Sequence, residues 1–211
     1  MVYRAVGGCG VNNRVAVVIK DLHLPISEED AVLVLYKKGF MLLKVDMIKC
    51  ARQCINSSRY RRGARPSEAP GFVDCSSFTK WLYGKRGIWL PRRSIQQSEM
   101  GEAVGLKNVI EGDLIFVTGW INYYRHDPVY SIGHVGIVTA EKTIIHAANS
   151  KQHVIETPID DFVGENKFRC ARRYMPKNSK VLTLQTPFMR EVETSDDVRW
   201  IILQTLPGFS L

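Results

Sequence analysis

The sequence predicts an α+β fold in which a group of helices is followed by an antiparallel sheet. Three helical patterns lie before residue 90, and short β-branched segments occur from residue 113 onward. Because helices and strands form separate runs instead of alternating, this order favours an antiparallel sheet over repeated βαβ units. A chain of 211 residues is long enough for one ordinary domain, or for a domain with appendages.

The composition is typical of a globular protein. Hydrophobic residues make up 45% of the chain and charged residues 24%, which excludes the collagen-like and disordered classes. No apolar run approaches the roughly 18–20 residues of a membrane span, and the N-terminus lacks a signal-peptide pattern. We therefore expect a chain that does not span a membrane and is not visibly secreted, located in the cytoplasm or exported by a non-classical route.

The cysteines show neither the dense, even spacing of a disulfide scaffold nor a paired metal-binding motif. There are five of them: Cys9, Cys50, Cys54, Cys75 and Cys170. Cys50 and Cys54 lie one turn apart on the buried face of a predicted helix, without nearby His or carboxylate partners. We expect reduced thiols, no metal site and no cofactor.

The chain is basic. Twenty-nine Lys and Arg against 21 Asp and Glu give a formal charge of +8, which favours polyanionic partners such as wall polymers or nucleic acid. The excess is concentrated in two segments: Arg59, Arg61, Arg62 and Arg65 in one, Arg92 and Arg93 in the other. These segments form either a solvated loop or a rim that faces a polyanion. No nucleic-acid motif is present, so nucleic acid is the less favoured partner.

The first 45 residues are predicted to form an N-terminal appendage. Residues 14–19 are β-branched and predict a strand. Ser27 and Asp30 form the beginning of a capped helix, which Gly39 ends.

The predicted core covers residues 46–176, and residues 177–211 form a C-terminal extension. Asp46 caps a helix that reaches about Asn56. In the extension, a further helix begins at Ser195, with acidic residues at its positive end. Four short segments are predicted strands: 113–117, 134–139, 143–148 and 181–185.

Cys75 lies in the first turn of a predicted helix that follows Asp74. Cys75, Phe78 and Leu82 fall at i, i+3 and i+7, so one face of this helix is apolar. Cys75 is therefore either a small buried hydrophobe or a nucleophile. A helix N-terminus favours thiolate over thiol, so the second alternative predicts a pKa below the ~8.5 of a free thiol.

Two histidines lie on consecutive predicted strands. Gly133 to Val138 and Thr143 to Ala147 form a predicted β-hairpin. If its loop has an odd number of residues, His134 and His146 project from the same face as direct or diagonal neighbours. Such a pair suits either metal ligation or catalysis.

In order and character, these segments resemble the NlpC-type cell-wall cysteine peptidases. The resemblance covers residues 46–176 and rests on these motifs: Gly71-Phe72-Val73-Asp74-Cys75-Ser76-Ser77-Phe78, Gly112-Asp113-Leu114-Ile115-Phe116, His134-Val135-Gly136-Ile137 and Ile145-His146-Ala147. Two shorter matches are Tyr60-Arg61-Arg62-Gly63, before the cysteine, and Leu90-Pro91-Arg92, after its helix.

The resemblance implies a papain-like core with a Cys-bearing helix packed on a small antiparallel sheet. Cys75 would be the nucleophile, His134 its general base, and His146 the group that orients His134. The backbone N–H of Cys75 and the Tyr60 hydroxyl would stabilise the oxyanion. The resemblance also implies oxyanion or substrate-binding positions for Ser76 and Arg92, whereas Asp74 is expected to cap the helix.

The sequence departs from the family pattern at two positions. Ser77 stands where glycine is usual, and Gly133 where serine is more usual. We expect these changes to affect the shape of the groove and therefore the choice of substrate. An aromatic and basic stretch from Thr118 to Ile132 is expected to line the cleft, while His126 and His153 match no motif and are assigned to surface or loop.

Three functions remain open at this point. The first is hydrolysis of amide bonds in peptidoglycan stem peptides, of the D-glutamyl–diamino acid type. The second is a papain-like hydrolase or acyltransferase that acts on another amide or thioester. The third is a non-catalytic module that binds an anionic polymer, which the intact Cys-His-His set argues against.

Overall fold

The computed structural model describes residues 2–8, 11–119, 131–188 and 190–208. Within these ranges the helices are α1 Glu28–Lys37, α2 Met47–Cys54, α3 Cys75–Lys85, α4 Ser94–Ser98, α5 Ile159–Val163 and α6 Ser195–Leu203. The strands are β1 Val6–Gly8, β2 Val11–Val17, β3 Met41–Leu43, β4 Arg59–Tyr60, β5 Phe72–Val73, β6 Glu102–Val104, β7 Leu114–Thr118, β8 Ile132–Val138, β9 Thr143–Asn149, β10 His153–Pro158, β11 Phe168–Arg173 and β12 Leu182–Gln185. The predicted α+β class is confirmed.

The predicted helix caps are present. The Ser27 side chain accepts a hydrogen bond from the backbone N–H of Asp30, at 3.0 Å, at the start of α1. At the start of α2, the Asp46 carboxylate accepts from the N–H of Lys49, at 2.8 Å. These bonds satisfy backbone donors that the first turn of a helix leaves unpaired.

The chain divides into two compact units. We call Met1–Val45, Tyr83–Trp89 and Pro176–Leu211 the terminal unit, and Asp46–Leu82 with Leu90–Met175 the central unit. The predicted domain boundaries after residues 45 and 176 stay a prediction about domain organisation.

The terminal unit is built on a four-stranded antiparallel sheet. Its strand order is β1-β2-β12-β3, so a strand from the C-terminal part of the chain lies between two from the N-terminal part. Apolar side chains from this sheet, α1 and α6 form the core, among them Val15, Leu35, Leu184, Val198 and Ile202.

The central unit contains a six-stranded antiparallel sheet in the order β10-β9-β8-β7-β11-β6. One face buries Ile115, Val138 and Ile144 together with Phe162 of α5. A short parallel pair, β4-β5, places Tyr60 beside Val73, which is two residues before Cys75.

Three strands of this sheet, β6, β10 and β11, were not predicted from the sequence. β10 ends in Pro158 and lies at an edge of the sheet, the position that proline tolerates because it lacks an N–H to donate. The sequence of β11, Phe-Arg-Cys-Ala-Arg-Arg, lacks β-branched residues. Pairing with β7 and β6 therefore decides its conformation, whereas its intrinsic propensity does not.

In the part of the chain that the structure describes, no helix is both long enough and apolar enough to cross a bilayer.

Candidate active site

Cys75 is the first residue of α3, as the sequence predicts. The preceding Asp74 caps this helix, since its Oδ1 accepts the N–H of Ser77 at 2.8 Å. The Ser77 hydroxyl in turn accepts the N–H of Asp74, also at 2.8 Å. This reciprocal pair is a capping box, and it fixes the turn that presents Cys75.

Ser77 does not shape the groove. Its side chain is only 1% exposed and bonds to the backbone of Asp74, and it is not among the residues that line the cleft. The expectation that this departure from the family pattern alters the groove is therefore wrong, because the extra hydroxyl is used inside the helix cap. Gly133, the other departure, does line the cleft.

Arg92 holds the helix cap from the side. Its guanidinium donates from Nη1 to Asp74 Oδ1 at 3.0 Å and from Nη2 to Asp74 Oδ2 at 2.5 Å. It also donates to the Ser76 hydroxyl at 3.0 Å and to the Ala64 carbonyl at 2.8 Å. A two-pronged bond of this kind fixes orientation as well as charge. Arg92 and Ser76 thus lie beside Cys75, and they bond to Asp74 and to each other.

His134 and His146 converge, as the hairpin parity predicts. The register of β8 and β9 pairs Ile137 with Ile145, which places both histidines on one face as diagonal neighbours. His134 Nε2 lies 2.8 Å from His146 Nδ1. A Cβ at Gly136 would lie 2.3 Å from a methyl of Ile144 and 3.1 Å from His146 Cβ, so only glycine leaves room beside this pair.

Two further residues contact the histidine pair and were missed from the sequence. His146 Nε2 lies 3.1 Å from the Thr157 hydroxyl on β10. The Phe162 ring packs against both imidazoles, with centroids 4.8 Å from His146 and 5.6 Å from His134. The signal that could have located Thr157 is the β-branched content of β10, in which Val154, Ile155 and Thr157 favour a strand that was not predicted.

Cys75 opens onto a cleft of about 630 Å³. Its lining residues are Tyr60, Arg62, Gly63, Asp74, Cys75, Ser76, Arg92, Arg93, Ser94, Ile95, Ile132 and Gly133. The sequence-predicted residues Tyr60, Ser76 and Arg92 therefore share one cavity wall with the cysteine.

His153 is a strand residue that contacts Tyr60, which corrects its assignment to surface or loop. Its Nδ1 accepts the backbone N–H of Tyr60 at 3.2 Å, and its Nε2 lies 3.2 Å from Arg59 Nη1. Burial, followed by the charge at Cys75, raises the pKa of Tyr60. The phenol accordingly stays protonated and able to donate a hydrogen bond.

The Cys75 thiol does not have the lowered pKa that its helix position suggests. Its side chain is only partly exposed at the cleft, and burial raises the thiol pKa to about 12, helped by the neighbouring Asp74 carboxylate. Hydrogen bonding to the backbone N–H groups of Val135 and Ser76, and the Arg92 charge, act in the opposite direction. The expectation of a pKa below ~8.5 is wrong because desolvation outweighs the helix N-terminus.

The pKa values of the two histidines are lowered, in contrast to that of Cys75. Burial lowers the pKa of His134 to about 4, against a smaller raising effect of Asp74. Burial, followed by repulsion from His134, lowers the pKa of His146 to about 3. At neutral pH the resting site therefore holds a protonated thiol and two neutral imidazoles, so His134 is free to accept a proton.

The predicted aromatic insertion from Thr118 to Ile132 mostly falls outside the described residues, which omit 120–130. His126 lies in that segment. Within the described ranges, no three His, Cys, Asp or Glu side chains are grouped so that they could hold a metal ion.

Comparison with known families gives one match by family model, to the NlpC/P60 family over residues 57–173. A γ-D-glutamyl-L-lysine dipeptidyl-peptidase of Bacillus cereus is 34% identical over 49% of this chain and 29% of its own length. A γ-DL-glutamyl hydrolase of Bacillus subtilis is 30% identical over 62% of this chain and 30% of its own length. The chain thus spans less than a third of the length of either relative.

Among solved structures, an NlpC/P60 family protein from Bacillus cereus superposes with a TM-score of 0.51 at 27% identity, covering 62% of this chain and 40% of that one. An NlpC protein from Trichomonas vaginalis superposes with a TM-score of 0.50 at 21% identity, covering 64% and 49%. The second likeness concerns the fold alone. The papain-like core expected from the sequence is confirmed by these neighbours.

Proposed function

The chain belongs to the NlpC/P60 family, whose model matches more than half of its residues, and on that premise we propose that it is a cysteine hydrolase of peptidoglycan stem peptides. Cys75 is the nucleophile, His134 the general base and His146 the residue that orients His134. The observation that supports this proposal most directly is the 2.8 Å contact between His134 on β8 and His146 on β9. Val135, the residue after His134, donates its backbone N–H to the Cys75 sulfur.

The proposed reaction begins from the neutral pair. As Sγ of Cys75 attacks the amide carbonyl, its proton moves to His134, and the C–S bond forms while the carbonyl π electrons move onto oxygen. His134 then protonates the leaving amine as the C–N bond breaks, which leaves a thioester. Water, deprotonated by His134, hydrolyses the thioester and restores the thiol.

The developing oxyanion has two donors in this proposal. The backbone N–H of Cys75 belongs to the first turn of α3, where such donors lack partners within the helix. The Tyr60 hydroxyl lines the same cleft and remains protonated. Donors aimed at developing charge in a partly water-excluded site typically contribute about 10²–10³-fold each to turnover.

The charge of the cleft suits a substrate with a free carboxylate. Three arginines line the cavity, and among the described lining residues the only carboxylate, Asp74, is bonded to one of them. A γ-linked D-glutamyl residue, as named for the Bacillus cereus relative, presents a free α-carboxylate next to the amide that would be cut. We therefore propose the D-glutamyl–diamino acid bond as the scissile bond.

The test is digestion of purified peptidoglycan, with the released peptides identified by mass spectrometry. The parent protein should release fragments cut after D-glutamate, whereas Cys75→Ala and His134→Ala should release none. Cys50→Ala is the matched control, because this half-buried thiol lies on α2 away from the cleft. Comparable turnover by Cys75→Ala would overturn the assigned nucleophile.

A second substrate pair tests the carboxylate. The parent should cut a γ-D-glutamyl peptide faster than the same peptide with its α-carboxylate amidated, and Arg93→Gln should reduce that preference. Equal rates on the two peptides, with an active parent, would refute the proposed substrate class while leaving the hydrolase assignment intact.

A further inference from the structure

Thr157 adds a third member to the histidine pair. Along β10, Ile155 pairs with His146, and Thr157 lies two residues further on the same strand. Side chains two apart share a face, so Thr157 projects on the side of the sheet where both histidines lie. Its hydroxyl is 3.1 Å from His146 Nε2, and His146 Nδ1 is 2.8 Å from His134 Nε2.

From this chain of contacts we infer that Thr157 is a positioning residue, whose hydroxyl accepts the Nε2–H of His146 and thereby fixes the tautomers of both histidines. The inference rests on the proposed function, in which His134 accepts the thiol proton. His134 Nε2 is bonded to His146, so Nδ1 is the nitrogen left for that proton and must be unprotonated. It concerns a residue that touches neither the sulfur nor the substrate in the proposed reaction.

Counting protons shows why the direction of the Thr157 bond matters. A neutral imidazole carries one N–H and one bare nitrogen. If Thr157 accepts from His146 Nε2, then His146 Nδ1 is bare and accepts the Nε2–H of His134. That order leaves His134 Nδ1 bare and able to take the thiol proton.

The opposite order disables the base. If Thr157 donated to His146 Nε2, His146 would carry its proton on Nδ1 and donate it to His134 Nε2. His134 would then carry its own proton on Nδ1 and could not accept another from Cys75. A threonine hydroxyl can donate or accept, so the residue type allows both orders. Only the first leaves His134 Nδ1 able to accept the thiol proton, as the proposed base requires.

The surroundings allow the two orders to be separated by experiment. Phe162 packs on both rings and restricts their rotation independently of Thr157. Removing the hydroxyl should therefore leave the rings near their present positions while freeing the tautomers. Both histidines are neutral at neutral pH, so the tautomer is a measurable quantity there.

The experiment is a two-bond ¹H–¹⁵N NMR spectrum of the histidine rings at neutral pH, combined with kinetics. In the parent, both histidines should carry the proton on Nε2. In Thr157→Val, which keeps the shape, the His146 signals should shift toward a mixture. Turnover should fall about 10- to 100-fold, by analogy with the loss when the partners that orient a metal-bound histidine are removed. KM should move little, and Thr157→Ser should restore both readouts.

Thr143→Val is the matched control. Thr143 begins β9, the strand of His146, and its hydroxyl bonds to Thr139 and Glu156. This variant should leave both tautomers and turnover near the parent values.

The outcomes separate the two proposals. A parent spectrum with His146 protonated on Nδ1 would overturn the inference without any variant, and so would a Thr157→Val protein with parent tautomers and parent kcat. If the parent cuts no peptide, the proposed hydrolase fails, and the parent spectrum still decides the direction of the Thr157 bond.

Discussion

The central unit contains two Asp–Arg pairs with nearly the same chemistry, one enclosed and one at the cleft. Asp113 and Arg173 have side chains only 3% and 10% exposed, and two guanidinium nitrogens bond the carboxylate at 2.7 and 2.9 Å. Arg92, paired with Asp74, is 34% exposed and lines the cleft. The enclosed pair is part of the packed interior, whereas the half-open pair sets the turn that presents Cys75.

The difference shows that depth decides what such a pair can do. An enclosed pair must be complete, because a lone charge there has no water to replace its partner. A pair at a cleft can exchange one partner for water, and its field reaches the reacting groups. Asp74 accordingly acts on the pKa of both Cys75 and His134.

The largest expected effect on stability comes from removing the arginine of the enclosed pair. Arg173→Leu should lower the free energy of unfolding by about 3–5 kcal/mol, because it leaves the Asp113 carboxylate buried without its partner. Urea denaturation measures this loss. The double variant Asp113→Leu with Arg173→Leu should recover part of it, and a single variant as stable as the parent would contradict the assigned depth.

Removing the arginine of the cleft pair should reduce stability less, and enzymatic activity more, than removing Arg173. In Arg92→Leu, Asp74 keeps the N–H donors of Ser77 and Gly63 and gains access to water. The free energy of unfolding should therefore fall by only about 1–2 kcal/mol. Turnover should fall on the order of 10-fold, because the first turn of α3 loses its support. Arg93→Gln, at the neighbouring exposed position, is the control for stability. If Arg92→Leu lost as much free energy of unfolding as Arg173→Leu, the proposed difference between the cleft pair and the enclosed pair would be wrong.

The electrostatic difference between the pairs is testable by pH. Asp74 raises the pKa of Cys75 and of His134, so Asp74→Asn should lower both, while the asparagine still caps the helix. Alkylation of Cys75 should then accelerate at a lower pH than in the parent, and the His134 NMR titration should also move to lower pH. Asp113→Asn should leave both curves in place. An upward shift in either curve of Asp74→Asn would refute this assignment.

The smallest effect is expected at an exposed cluster. Arg52 bonds Glu141 at 2.7 Å and Glu156 at 3.0 Å, with side-chain exposures of 42%, 58% and 24%. Water screens exposed ion pairs, so Arg52→Ala should change the free energy of unfolding, measured by urea denaturation, less than Arg92→Leu does. The change should shrink further in high salt. A loss as large as that of Arg92→Leu would show that solvent exposure is a poor guide to these pairs.

Much of the frame of the candidate site could be predicted from the sequence. The apolar positions of α3 and the Asp74 cap are local patterns, and the shared face of the two histidines follows if the hairpin loop has an odd number of residues, which the register confirms. They place Cys75 at a helix start and both histidines on one sheet face. The individual roles of Cys75, His134 and His146 stay proposals.

What the sequence could not supply are contacts between distant segments. The bond between Tyr60 and His153 joins residues 93 positions apart, and Thr157 reaches His146 only because β10 pairs with β9. Neither contact has a local signature, because each depends on which segments pack together, although β10 itself contains the β-branched residues Val154, Ile155 and Thr157.

By itself, then, the sequence determined the fold class, the helix caps and the face shared by the two histidines, because these depend on repeat periods of 3.6 and 2.0 along the chain. The tertiary structure decided the proton affinities. Burial raises the pKa of Cys75 and lowers those of the histidines, against the helix N-terminus that the sequence reveals, because desolvation depends on every segment packed around a group.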